Sequence, residues 1–372
     1  MADNRSNLPE VAKVFFRLGC IAFGGPAAHI SMMEDEIVRK RKWITAEHFL
    51  DLVGATNLIP GPNSTEMTMH CGHERAGWKG LVVAGTCFIL PAVVITGLIA
   101  WAYQRYGLLP DVQRFIYGIK PAIIAIIAST MISLGRKALK STALAIVGVT
   151  AAVVTLLGVN EIYVLFAGGA VGILIHLFSN RNTIKTLVPF VVVNSLTNEI
   201  GSWKIFLTFL KIGSILYGSG YVLFAFLDAE LVARGLISKQ QLIDAIAVGQ
   251  FTPGPVFSSA TFIGWQIGGV YGAIAATIGI FLPAFVFVSL ANPIIPRLRK
   301  SRVMSSFLDT VNVVSVAIIL AVVIEMGRET LLDWRTIFIA VVSLGVSLYY
   351  KRLNSALVVI GGAVLGYAFS LL

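Results

Sequence analysis

Two short patterns in this chain combine residue types able to hold an anion. The first is a glycine-rich break, Gly24-Gly25-Pro26, and the second is Pro60-Gly61-Pro62, followed by the donors Asn63, Ser64 and Thr65. Proline removes a backbone donor and opposes the turn before it, and glycine permits the conformation that follows. A helix that restarts after such a break offers free N–H groups and the positive end of its dipole, which together form an anion site. Both patterns recur: Gly218-Ser219-Gly220 answers the first and Pro253-Gly254-Pro255 the second, with Ser258 and Ser259 one turn beyond. Charged residues stand close by in apolar surroundings. Arg17 and Lys211 each precede a glycine break by seven residues, Lys120 interrupts the run Gly118-Ile119-Lys120-Pro121-Ala122, and Glu66 lies one turn past the first Pro-Gly-Pro.

The elements that carry these residues belong in a membrane. Of 372 residues 56% are hydrophobic and only 13% charged, with a mean hydropathy of +0.83. Soluble domains run near 25% charged, and a soluble surface of this composition would aggregate. Leu81–Ala100, Gln266–Pro296, Thr336–Tyr350 and Leu353–Leu372 contain no charged residue; about 20 apolar residues cross the hydrocarbon. Trp78 and Trp101 bracket the first, where interfacial aromatics are expected. Apolar segments fall near 11–30, 48–69, 79–103, 113–134, 141–158, 160–179, 186–197, 203–226, 240–262, 266–290, 303–326, 335–350 and 353–371, some of them short or re-entrant. The first ten residues lack the basic, then apolar, layout of a cleaved secretory signal. Net charge is +10; its bases sit in short loops, where orientation and anionic lipid account for them and nucleic acid is not expected. Cys20, Cys71 and Cys87 have no metal or redox spacing.

The chain is an internal repeat. Phe15–Gly25 aligns with Phe209–Ser219 at an offset of 194, Glu36 with Glu230, Asn57–Pro62 with Gln250–Pro255 at 193, and Leu90-Pro91 with Leu282-Pro283 at 192. Loop charges set the orientation of the halves. Bases crowd 39–42, 73–79 and 136–140 in the first half and avoid 158–161, whereas in the second half they gather at 297–302 and 351–352. Equivalent loops therefore face opposite sides of the membrane. The expected fold is an all-α polytopic membrane protein of two inverted repeats, 1–180 and 204–372, each of five to six helical segments with broken or re-entrant helices. A crossover linker, 181–203, joins them. Inverted-repeat transporters place their sites near the midplane, where broken helices meet.

Intramembrane ionisable groups cost about 2.5–3.5 kcal/mol even on the lenient insertion scale. Arg17, Lys120 and Lys211 are thus candidate anion ligands, with snorkelling to headgroups as the competing reading of Arg17 and Lys211. Glu66, Glu36 and Glu230 are candidate proton carriers, although Glu36 and Glu230, with Glu34 and Asp228, also suit interfacial turns paired with nearby bases. His29 reads as a packing residue in preference to a proton carrier. The chain has neither a Walker-type phosphate loop nor a His-Glu-x-x-His run, so ATP drive, a metal centre and a cofactor are not expected.

With these residues in view the chain resembles the chromate ion transporter family in its long two-domain form. The resemblance spans nearly the whole chain and rests on Phe23–Ile30, Asn57–Asn63 with its Pro-Gly-Pro, Phe281-Leu282-Pro283 and their counterparts in the other half. It implies a non-enzymatic carrier in the bacterial or archaeal inner membrane, exporting chromate, a dianion shaped like sulfate, and conferring chromate resistance. The bound anion would contact Arg17, Gly24, Gly25, Pro60, Gly61, Pro62, Asn63, Ser64, Lys120, Lys211, Gly218, Pro253, Gly254 and Pro255. Expected partners are that dianion and the bilayer, with a homodimer as an oligomeric option. Sulfate or molybdate carriage, a channel, and an enzyme acting on phosphorylated lipids are the alternatives. The second half departs from the pattern, with Gly220 in place of Pro26 and no histidine matching His29.

Overall fold

The computed structural model describes residues 7–23, 25–107, 109–179, 201–217, 220, 222–291, 301–350 and 353–371. Among these residues all regular structure is helical. The first half comprises α1 (Leu8–Ile21), α2 (Gly25–Met33, continued as a π-helical turn to Lys40), α3 (Ala46–Thr56), α4 (Asn63–Tyr106), α5 (Pro110–Ala138), α6 (Thr142–Leu156) and α7 (Glu161–Ser179). The second comprises α8 (Ser202–Ile215), α9 (Val222–Leu227, continued as a π-helical turn to Val232), α10 (Lys239–Phe251), a 3₁₀ turn (Val256–Ser258), α11 (Ser259–Ala291), α12 (Arg302–Thr330), α13 (Trp334–Tyr349) and α14 (Ser355–Ser370).

Neither α4 nor α11 is a straight rod. At Ala76-Gly77 the backbone leaves the helical region, with Gly77 at φ +64°, and a Cβ on Gly72 would stand 2.5 Å from Cβ of Ala84. Twelve residues of straight helix span about 18 Å, so the chain doubles back. The same reversal occurs at Gly268-Gly269, where a Cβ on Gly264 would stand 2.6 Å from Cβ of Ala276. Glycine at the crossing lets the two arms touch backbone to backbone.

Ion pairs show where each element begins and ends. Glu10, in the first turn of α1, binds Arg41 at 2.6 Å and Arg75 at 2.8 Å. These two guanidinium groups, Arg75 foremost, hold its carboxyl below the usual range. The start of α1, the end of the α2 segment and the reversal of α4 therefore share one face, the basic one. Accordingly α1 with α2 forms one re-entrant hairpin, and α3 with 63–75 a second. The arm 78–106, about 43 Å long at 1.5 Å per residue, then crosses, and α5 to α7 follow in alternation. Lys140 in the α5–α6 turn meets Asp309 near the start of α12 at 2.7 Å. Tyr117, near the other end of α5, donates to Asp333, the N-cap of α13, at 2.6 Å. On that opposite face Lys239, at the start of α10, binds Asp228 and Glu325.

The re-entrant hairpins of the second half thus open on the face opposite to those of the first, and the repeats are inverted as the loop charges indicated. Segments 11–30 and 48–69 do not cross the membrane; they dip in and return. The apolar stretch 186–197 and most of the expected linker 181–203 fall outside the described residues. Val82, Leu90, Val94 and Leu98 are exposed on α4, and their equivalents Ile274, Leu282, Val286 and Leu290 on α11. Such one-sided apolar stripes suit lipid as solvent. Trp78 and Trp101 are likewise exposed at the ends of the crossing arm.

Candidate functional site

The tips of the re-entrant hairpins, two from each face, meet in the interior. The contact is reciprocal. Gly61 N–H of the first Pro-Gly-Pro donates to the Leu216 carbonyl that caps α8, at 2.8 Å. Gly254 N–H of the second donates to the Ala22 carbonyl that caps α1, also at 2.8 Å. Ala22 and Leu216 are equivalent positions, 194 apart. Gly61 at φ +140° and Gly254 at φ +90° occupy backbone conformations that L side chains rarely adopt. Each also touches the other half: a Cβ on Gly254 would lie 2.8 Å from Cβ of Ala92, and one on Gly61 3.7 Å from Cβ of Ala284. Those alanines follow the matched prolines Pro91 and Pro283.

The Gly61 and Gly254 amides are not free donors, because they tie the repeats together. The unmatched donors are two and three residues further on. Thr65 and Glu66 N–H both return to the Pro62 carbonyl, and Ser258 N–H to Pro255. No described backbone carbonyl accepts from Asn63, Ser64, Val256 or Phe257, as expected of first-turn amides. Pro60, Pro62, Pro253 and Pro255 are buried around them, and Asn63 Nδ2 donates to Asn57 Oδ1 at 2.7 Å. Gly25 opens α2 at φ +80° and is buried. Gly24, Gly218 and Ser219 lie outside the described residues.

Polar side chains without hydrogen-bond partners gather in the same first turns: Thr65 Oγ1, both carboxyl oxygens of Glu66, and Ser259 Oγ, all fully buried. Ser259 is the counterpart of Glu66, so the acid exists in one half only. The Glu66 carboxyl lies directly against Cα of Gly61, where a methyl group would collide with it. A buried polar group without a partner costs about 1–3 kcal/mol, so these groups do not contribute to stability as they stand. His29 is buried edge-on against Phe88 at 5.7 Å, with both ring nitrogens lacking a hydrogen-bond partner among the described residues.

The candidate cations separate. Lys211 binds Glu230 at 2.7 Å, and Arg234 shares the same carboxylate at 2.8 Å. In the first half Glu36 is taken by Arg41 at 2.8 Å and approached by Lys40 at 3.7 Å. Arg17, equivalent to Lys211, consequently has no carboxylate partner among the described residues, and it lines a cavity of about 220 Å³ with Ser31, Asp35 and Lys40. Lys120 is also occupied: its Nζ lies 3.1 Å from Asp244 Oδ1 of α10. Nothing in the local sequence signals this pair, whose members lie 124 residues apart in the chain. Glu36 and Glu230 are held in ion pairs, leaving Glu66 as the unpartnered acid of the three proton-carrier candidates.

Two inverted helical repeats whose broken helices meet inside the membrane are the architecture of transporters that bind their cargo near the midplane. The chain belongs to the chromate transporter family, whose model matches it twice, at residues 9–173 and 203–367. It is 29% identical to a probable chromate transport protein of Synechococcus elongatus, covering 98% of this chain and 96% of that one. It is 28% identical to a chromate transport protein of Cupriavidus metallidurans over 96% and 92% of the two chains. A chromate transport protein of Pseudomonas aeruginosa is 27% identical over 96% and 92%. No solved structure matches the chain.

Proposed function

We propose that this protein is a secondary carrier that moves chromate out of the cell across the cytoplasmic membrane and so confers chromate resistance. The relatives named as chromate transport proteins supply the cargo. The observation that carries the reading is that each half has a helix N-terminus opened by Pro-Gly-Pro and docked on the other half, with first-turn amides that no described carbonyl takes, and with unpartnered Thr65 and Glu66 in one and Ser259 in the other. A dianion leaving water needs several donors and fixed positive charge, and first-turn amides provide them with no mobile cation at the centre.

In this reading Arg17 receives the anion on the basic face, which the positive-inside rule makes cytoplasmic. Asn63 and Ser64, with Pro60, Gly61 and Pro62 shaping their turn and Gly25 opening α2, hold it at the midplane against Pro253, Gly254 and Pro255. Glu66 carries the coupling proton, since a carboxylate there would repel the bound dianion. Alternating access is the rocking of repeat 1–180 against repeat 204–372 about the two glycine amide bonds. The deciding experiment is flux in reconstituted vesicles with imposed proton and anion gradients, with sulfate as competitor. Saturable chromate flux that responds to the proton gradient is expected. Flux of sulfate alone, or none of either, refutes the assignment.

A further inference from the structure

Among the described ion pairs, that between Lys120 and Asp244 is set apart by its enclosure. It is nearly sealed, with Lys120 14% and Asp244 7% exposed at their side chains, whereas the pairs at the basic face are open to solvent. It joins the two repeats. Lys120 lies on α5, ten residues from that helix's start, and Asp244 on α10, the re-entrant helix that leads into the second Pro-Gly-Pro. Tyr103 of α4 donates to the remaining oxygen, Asp244 Oδ2, at 2.6 Å. Beside the pair opens a cavity of about 530 Å³ on the face opposite the basic one, and Lys120 lines it.

Of the other charges around this cavity, Glu329 has no ion-pair partner among the described residues, and three are held. Arg114 binds Asp111 at 2.9 Å, Arg335 donates to the Phe369 carbonyl at 2.7 Å, and Asp333 is held by Tyr117 and the Thr336 amide. Lys120 differs in that its counter-ion sits on the re-entrant helix of the other repeat. If α10 shifts, Lys120 alone among them loses its partner, and it does so facing an aqueous cavity large enough for a hydrated tetrahedral anion. An unpaired cation in that setting takes the nearest anion.

We propose that Lys120 is an exchange site for the oxoanion on the outer side and that Asp244 is its tethered competitor. This rests on the anion-carrier reading above. When α10 moves away, Lys120 accepts the dianion descending from the Pro-Gly-Pro turns. When α10 returns, Asp244, its carboxylate shared with the Tyr103 hydroxyl, displaces the anion into the cavity. The fully covered unpartnered acid at the midplane and this covered pair then act in series, and Asp244 makes release directional.

The test is inhibition of flux by chromate or sulfate added on the cavity side of reconstituted vesicles. Asp244→Asn removes the competitor, so external oxoanion should inhibit at a concentration lower by about tenfold or more, the modest end of what one close charge contributes in a protein interior. Tyr103→Phe leaves Asp244 with Lys120 as its sole partner and should shift inhibition in the opposite direction. The exchanged pair Lys120→Asp with Asp244→Lys preserves the ion pair but presents an acid to the cavity, so it should fold without recovering external binding. Full recovery by the exchange, or unchanged inhibition in both single variants, overturns the proposal and leaves a structural bridge. Should Asp244→Asn not fold, the sign of the Tyr103→Phe shift decides. Wild-type protein indifferent to external oxoanion removes the carrier reading and this site with it, whereas failure of the variants alone removes only the site.

Discussion

Gly254→Ala tests whether the reciprocal docking of the Pro-Gly-Pro turns holds the repeats together. The new methyl group would stand 2.8 Å from Cβ of Ala92, inside van der Waals contact, and the residue would keep φ near +90°. Backbone strain of that kind costs about 1–3 kcal/mol, and overpacking a filled interior about 1–3 kcal/mol more. The two together, ~2–6 kcal/mol, are a large share of the ~5–15 kcal/mol by which folded domains are stable. Ala92→Gly removes the colliding atom but not the strain. On its own it should cost about 1 kcal/mol as a helix glycine, yet in the Gly254→Ala background it should recover the overpacking part, a coupling of opposite sign to its single effect. The mirror experiment has a different answer. In Gly61→Ala the methyl meets the Glu66 carboxyl, while Ala284 stays at 3.7 Å. Relief should therefore come from Glu66→Ser, the residue type the second half carries there, and not from Ala284→Gly. The assay is the midpoint of thermal loss of the monodisperse peak in detergent, compared as a ranking because such unfolding is irreversible. Equal rescue of Gly61→Ala by Ala284→Gly, or no rescue of Gly254→Ala by Ala92→Gly, would refute the geometry.

Three further outcomes follow from the same contacts. Arg17→Gln should abolish chromate flux at normal expression, whereas Lys211→Gln, whose partner Glu230 keeps Arg234, should retain it; equal loss in both would return Lys211 to the site. Glu66→Gln should leave anion exchange intact and make it insensitive to an imposed proton gradient, measured as chromate counterflow at two pH values; persistent proton dependence places the coupling elsewhere. Glu10 ties α1 to Arg75 and Arg41 with its carboxyl held below the usual range. Its contribution is complete above the unfolded carboxyl value, about pH 4.3, and is lost as pH falls through the lower folded value. Glu10→Gln should flatten that acid limb of the thermal midpoint against pH, and an unchanged limb would exclude Glu10 as its source.

Much of this protein is legible before any coordinates, because its strongest signals are local. Apolar runs of membrane length, the bases that set topology, and proline or glycine where helices break are each readable within a few residues. Duplication then relates the halves. Hence the inverted repeats, the membrane setting and the two kinds of break follow from residues such as Pro60-Gly61-Pro62 and their partners at 253–255. The loop charges even place Glu36 and Glu230 near interfacial bases, where Arg41 and Arg234 bind them.

Tertiary structure alone decided which of those groups remain free. Hydropathy does not distinguish a helix that crosses from one that dips and returns, so segments 11–30 and 48–69 resolve as re-entrant hairpins only when Glu10 is seen to bind Arg41 and Arg75. The amides of Gly61 and Gly254 resemble anion donors until the carbonyls of Leu216 and Ala22 arrive from the other repeat. Arg17 and Lys211 are equivalent in sequence, yet Arg41 draws Glu36 away from one while Glu230 holds the other. Lys120 finds its counter-ion on the opposite half. Hydrogen bonds and ion pairs act over a few ångströms, and across more than a hundred residues only the fold determines which groups come that close.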